Sequence, residues 1–114
     1  METGTGFEAC AVSESAEDTK GAVVAMTRAL ARELASIGVT VNAVAPGLIL
    51  SDTVAANPAI TAFQSSAVMQ ARSIKRDAYP EDVVGAVAFL ASDDSAFMSG
   101  QTLIVDGGSV FSTL

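Results

Sequence analysis

From residue 18 onward the apolar positions recur in two different periods, and the changes of period mark out the structural elements. Val23, Met26, Thr27, Leu30, Leu34 and Ile37 return at three- and four-residue spacing with Arg28, Arg32 and Glu33 opposite. That pattern predicts an amphipathic helix starting at Asp18 or Thr19. Glu17 and Asp18 suit its electropositive end, and Gly38 stands where a left-handed residue would stop it. Alanines at 22, 25, 29, 31 and 35 leave room for a close neighbour. Val39 to Val44 (VTVNAV) is β-branched and almost continuously apolar, which predicts a strand covered on both faces and ended by Pro46-Gly47. A second helix is expected from Pro80, where a missing N–H costs nothing, with Glu81 and Asp82 in its first turn. It runs through Val83, Val84, Ala86, Val87, Phe89 and Leu90 toward Asp93 and Asp94. Thr102 to Val105 (TLIV) then reads as a short buried strand closed by the turn Asp106-Gly107-Gly108.

Two stretches fall outside these periods. Residues 48–77 mix short apolar groups with Asn57, Pro58, Gln64, Ser65 and Ser66, which predicts one or two short helices in a lid or substrate loop. Residues 1–18 form an acidic leader in which only Phe7 to Val12 alternates enough for a short strand. The order helix, strand, lid, helix, strand predicts an α/β fold with parallel strands joined by a right-handed crossover. Residues 19–114 would form that unit.

Charge narrows the function classes. The net charge is −7, and residues 1–18 alone hold five acids and no base, so the rest of the chain is nearly neutral. Six basic residues do not make a phosphate-tracking stripe, and nucleic acid is not an expected partner. No apolar run is long enough to span a membrane, and the single cysteine favours a reducing, cytoplasmic setting. Without histidine, Ser-His-Asp and Cys-His chemistry and His-containing metal sites are ruled out, and one cysteine cannot build a thiolate zinc site; no metal site is expected. No serine has a lysine three residues on. Asn42 interrupts a strand expected to be buried, so its amide should be satisfied by neighbouring groups.

KGAVVAMTRALARELASIGVTVNAVAPG, then LILSDT, then PEDVVGAVAFLASDDSAFMSGQTLIVDGG, resembles the C-terminal half of a short-chain dehydrogenase/reductase, of the 3-oxoacyl-acyl-carrier-protein reductase type. The resemblance runs from about Lys20 to Gly108. It implies a truncated Rossmann-like fold with two main parallel strands, two long helices and the lid, and NAD or NADP as the family's cofactor. The glycine-rich turn that binds phosphate lies in the family's other half. GTGF at Gly4 to Phe7 lacks the further glycine that motif requires, so no cofactor is expected for the isolated chain.

The resemblance also assigns residues. Lys20 matches the family's active-site lysine, whose partner is a tyrosine four residues earlier; that position is Ala16, and the chain's only tyrosine is Tyr79. Lys20 is therefore expected to be vestigial. Pro46, Gly47, Ile49 and Ser51 match the segment that meets the nicotinamide in the family, with serine where threonine is more common. The two helices and last strand are also the family's assembly elements, which implies a homo-oligomer, a dimer or tetramer, or association with a full-length family member. An upstream truncation, internal start or frameshift would account for the leader. The expected function is thus an oxidoreductase-family segment lacking full hydride-transfer activity alone. The alternatives are a self-associating or partner-binding module, or a small repurposed hydrolase using acids such as Glu81 and Asp82 under the lid or at a new interface.

Overall fold

A computed structural model describes residues 17–63 and 67–110. The strand expected at Phe7 to Val12, the leader as far as Ala16 and the lid residues Gln64 to Ser66 lie outside the described residues. Helix α1 spans Glu17–Glu33 and tightens into a 3₁₀ turn at Ala35–Ile37. Gly38 ends it at φ +76°, donating its N–H to the Ala35 carbonyl at 3.1 Å. This is the left-handed stop that the sequence predicts.

Among the described residues the strands are β1, Ala43–Pro46, and β2, Thr102–Val105. They pair in parallel with Ala43 opposite Thr102 and Pro46 opposite Val105. The fold is therefore α/β with a parallel two-stranded sheet. The limits of β2 match the TLIV run, but β1 begins four residues later than VTVNAV suggests. Residues before Ala43 make other bonds: Val41 N–H donates to Ser99 Oγ at 3.1 Å, and the Val41 carbonyl accepts from Gly100 N–H at 2.6 Å. The partner strand is too short to pair the whole apolar run, so its first half leans on the loop that leads into β2.

Asn42 makes that junction. Its side chain is 2% exposed, Nδ2 donates to the Met98 carbonyl at 3.0 Å and Oδ1 accepts from Gln101 N–H at 3.1 Å. The buried amide is satisfied by backbone, as the sequence requires. Next to it Ala43 and Val44 are both buried. Adjacent strand residues point to opposite faces, so both faces of β1 are covered.

Helix α1 packs on β1, and its buried residues are Val23, Thr27 and Ala31, a stripe of every fourth residue. Val23 and Thr27 belong to the predicted face, but Ala31 joins them where Met26 and Ile37 were expected. Met26 is 50% and Ile37 69% exposed, while Leu30 and Leu34 are only half-buried. Thr27 tolerates burial because its hydroxyl donates to the Val23 carbonyl at 2.8 Å. A sheet of two strands takes only a narrow stripe of a helix, and the small side chains Thr27 and Ala31 allow the closer approach.

Among its described residues the segment after β1 carries three short helices, α2 at Asp52–Ala55, α3 at Pro58–Phe63 and α4 at Met69–Ala71, more than the one or two predicted. Helix α5, Glu81–Leu90, follows Pro80 as expected and packs on both strands. Leu90 at its end is 2% exposed.

Candidate functional site

A cavity of about 530 Å³ opens where both strands end. Ala45, Pro46, Gly47 and Leu48 leave β1 on one side, and Ile104, Asp106, Ser109 and Val110 follow β2 on the other. Lys20, in the first turns of α1, and Ala67, Val68 and Ala71 of the lid complete the described lining. The carboxyl ends of parallel strands are where open α/β sheets leave a ligand crevice, because the connections there diverge to opposite sides. Its walls are apolar apart from Lys20, Asp106 and Ser109. A smaller cavity of about 110 Å³ lies along β1, bounded by Lys20, Val23, Val24, Ala43 to Pro46 and Thr102.

The structure thus brings together three of the five residues singled out from sequence, Lys20, Pro46 and Gly47. Ile49 and Ser51 stand beside the cavity on the strand exit, outside its described lining. The Ser51 hydroxyl is occupied locally, accepting the Val54 N–H at 3.4 Å as the N-cap of α2. Tyr79 is half-exposed just before α5 and does not line the cavity. Ala16 lies outside the described residues.

Asp106 sets the shape of the cavity floor. Its carboxylate is buried, with Oδ1 accepting Gly108 N–H and Oδ2 accepting Val110 N–H, both at 2.8 Å. Gly107 and Gly108 take φ +68° and +76°, values a side chain would resist. The Asp-Gly-Gly sequence is therefore a turn motif, as expected, and its aspartate is committed to backbone donors.

A second polar cluster lies at the base of the lid. Arg76 and Asp82 form a two-pronged pair at 2.6 and 2.8 Å, and Asp82 also accepts the Tyr79 N–H at 2.9 Å. These bonds, first that from Arg76 and then that from the Tyr79 backbone, hold the Asp82 carboxyl far below the usual carboxylate range. The same pair raises the Arg76 guanidinium. A carboxyl so held stays ionised at neutral pH, so Asp82 is not poised to donate a proton as a general acid. Among the described residues no group of three or more histidine, cysteine, aspartate or glutamate side chains is arranged to hold a metal ion. No helix among them is long and apolar enough to cross a membrane.

Sequence reasoning did not single out Arg72. This arginine is 2% exposed, donating from one Nη to the Leu48 carbonyl at 2.5 Å and from the other to the Arg76 carbonyl at 3.0 Å. Its only signal was a basic residue flanked by the small residues Ala71 and Ser73, which does not set it apart from a solvated loop arginine.

Comparison with known proteins bears on this geometry. Residues 6–110 match the family model described as enoyl-(acyl carrier protein) reductase. The chain belongs to this family. Its match reaches into the segment read as a leader. The 3-oxoacyl-acyl-carrier-protein reductases FabG of Rickettsia felis and Staphylococcus epidermidis are each 43% identical to it over 90 residues, covering 79% of this chain and 36% of theirs. That of Rickettsia bellii is 46% identical over 92 residues. The chain thus spans about a third of the length of the curated relatives it matches. A solved structure from Agrobacterium tumefaciens, provisionally assigned as a gluconate dehydrogenase, superposes with a TM-score of 0.67 at 35% identity over 79% of this chain and 35% of that one. Together these make the chain a partial short-chain dehydrogenase/reductase with the family's Rossmann-like architecture.

Proposed function

We propose that the chain provides the nicotinamide-facing part of an oxidoreductase site and does not complete hydride transfer by itself. The observation that carries this reading is the convergence of Lys20 with Pro46 and Gly47 on one cavity at the carboxyl ends of both strands. At about 530 Å³ the cavity has the volume of a small-molecule site, and its apolar walls with one ammonium suit a flat ring joined to a sugar hydroxyl. Among the described residues no glycine-rich turn opens a helix that could cradle a diphosphate, so the fit extends to one end of the cofactor only. A bound NADH or NADPH would supply the hydride. From this chain, Lys20 offers a hydrogen bond to the ribose, and the backbone at Pro46 and Gly47 borders the ring. The proton that must reach the carbonyl oxygen has no donor of the family's kind, because Ala16 carries no hydroxyl. Loss of such a donor lowers rates by roughly 10²–10⁴-fold. Titrating NADH and NADPH into the purified chain by fluorescence should show weak binding, at roughly millimolar concentration, a contact energy near 4 kcal/mol. No oxidation of NADPH with a 3-oxoacyl thioester should exceed the buffer rate. No binding at that concentration would remove the cofactor reading, and rapid turnover would remove the claim of incomplete chemistry.

Self-association is a second reading, supported by a separate observation. Met26 on α1 and Val84 on α5 are 50% and 62% exposed, and both outer edges of the two-stranded sheet are unpaired among the described residues. Two strands make a marginal sheet, and open edges with apolar helix faces favour association. A homodimer or tetramer, formed in a reducing cytoplasm, is the simplest assembly; a longer family member could cover the same surface. Light scattering coupled to size exclusion should give at least twice the mass of the 114-residue chain. A well-folded monomer would overturn this reading.

A further inference from the structure

We infer that Arg72 is a positioning residue that latches the base of the lid and so fixes the width of the cavity. The chain leaves the sheet after Pro46 and comes back beside Leu48 at Arg72, whose side chain joins the two ends. One Nη holds the Leu48 carbonyl at 2.5 Å on the outgoing segment; the other holds the Arg76 carbonyl at 3.0 Å on the returning one. The guanidinium is 2% exposed, and its Nε finds no partner among the described residues. Its charge is therefore balanced chiefly by those two carbonyls, with Asp82 close enough to feel its field. Hydrogen bonds from a charged donor are worth about twice neutral ones, and a buried charge that loses them is left uncompensated.

The aliphatic stem of Arg72 has its own contact. A side chain added at Gly107 would meet Arg72 Cδ at 3.4 Å and Cγ at 3.7 Å, so the stem lies across the bare backbone of the turn after β2. Immediately beyond, Ile74 N–H donates to the Gly107 carbonyl at 2.9 Å and Ser73 N–H to that of Gly108 at 3.3 Å. On the other side Leu50 N–H donates to the Ala78 carbonyl at 2.7 Å. Arg72 thus stands at the crossing of two backbone seams, one to the exit of β1 and one to the turn after β2. Its sequence neighbour Ala71 and its bonded partner Leu48 both line the cavity. Releasing the guanidinium would free these two walls together, whereas the seam from residue 41 to residue 101 on the far side of the sheet would be untouched.

The inference takes the cavity to be the functional site, as proposed above, but its test involves no cofactor and stands or falls separately. Amide hydrogen exchange is followed residue by residue in the full chain and in Arg72→Met and Arg72→Lys. Methionine keeps an apolar stem without donors; lysine keeps the charge and can serve one carbonyl at a time. In Arg72→Met the amides of Leu50, Ser73 and Ile74 should exchange roughly ten- to a hundredfold faster, the range expected for losing charge-assisted bonds. Those of Ala43 and Gly100, bonded to Gln101 and Val41, should change less than about threefold, and Arg72→Lys should fall between the two. A uniform acceleration at all five amides, unchanged exchange at Leu50, Ser73 and Ile74, or unfolding of both variants would overturn the latch.

Discussion

Asn42→Ala is expected to lower the unfolding free energy by about 3 kcal/mol, a large share of what a small domain has. The amide, itself fully buried, bonds two part-buried backbone groups, the Met98 carbonyl and the Gln101 N–H. Alanine would leave both unpaired, each at a cost of about 1–3 kcal/mol, beside a new cavity. Those groups belong to the loop that delivers β2 into register with β1, so the loss falls on the only strand pair among the described residues. Urea unfolding should show a lower midpoint with an unchanged slope. Asn42→Asp separates the two bonds. Its carboxylate could still accept from Gln101 but would face the Met98 carbonyl, so burial and repulsion would raise its folded pKa above the unfolded value. Such a group destabilises the fold above its unfolded pKa, near 3.9, and the defect shrinks as pH falls and the acid is protonated. A change in Asn42→Ala below about 0.5 kcal/mol, the usual range of surface substitutions, would show that the junction tolerates the loss.

Gly47→Ala should cost about 1–3 kcal/mol and distort the cavity. A methyl group there would stand 2.9 Å from Asp106 Cβ and 3.0 Å from its Cα, distances that require backbone to move. Asp106 cannot give way freely, because its carboxylate holds the N–H groups of Gly108 and Val110. Glycine at this position is therefore explained by the contact between the ends of β1 and β2, whatever a ligand adds. The same substitution at Gly85 supplies the control. A methyl group there meets nothing within 4 Å, and the residue sits inside α5, so Gly85→Ala should raise stability by about 0.5–1 kcal/mol. Thermal unfolding should move in opposite directions for the two variants. Equal shifts would mean that the 47–106 contact does not constrain the fold.

Several elements were determined by local sequence because local physics suffices for them. Gly38 stops α1 through a left-handed backbone, Pro80 opens α5 where no N–H is needed, and Asp106-Gly107-Gly108 makes its turn from its own bonds. The run TLIV is β2 to the residue. The need of Asn42 for backbone partners also followed from an amide in an apolar strand, although not which partners. The assignment of Lys20, Pro46 and Gly47 came from family resemblance rather than from periodicity.

Tertiary structure decided what depends on neighbours distant in sequence. The period of α1 is the same whether Met26 and Ile37 or Ala31 join Val23 and Thr27 in the buried stripe; a sheet of two strands chose the narrower, smaller one. The start of β1 was set by the four-residue length of its partner rather than by its own apolar run. Arg72 reads as any loop arginine until the fold brings Leu48, 24 residues earlier, within bonding distance of its guanidinium. Lys20 and Gly47 meet on one cavity only because a parallel pair aligns the exits of β1 and β2 at the same end of the sheet. Side-chain type and spacing specify each element, but which surfaces meet is settled by the packing of the whole chain, where burial and paired backbone groups select one arrangement.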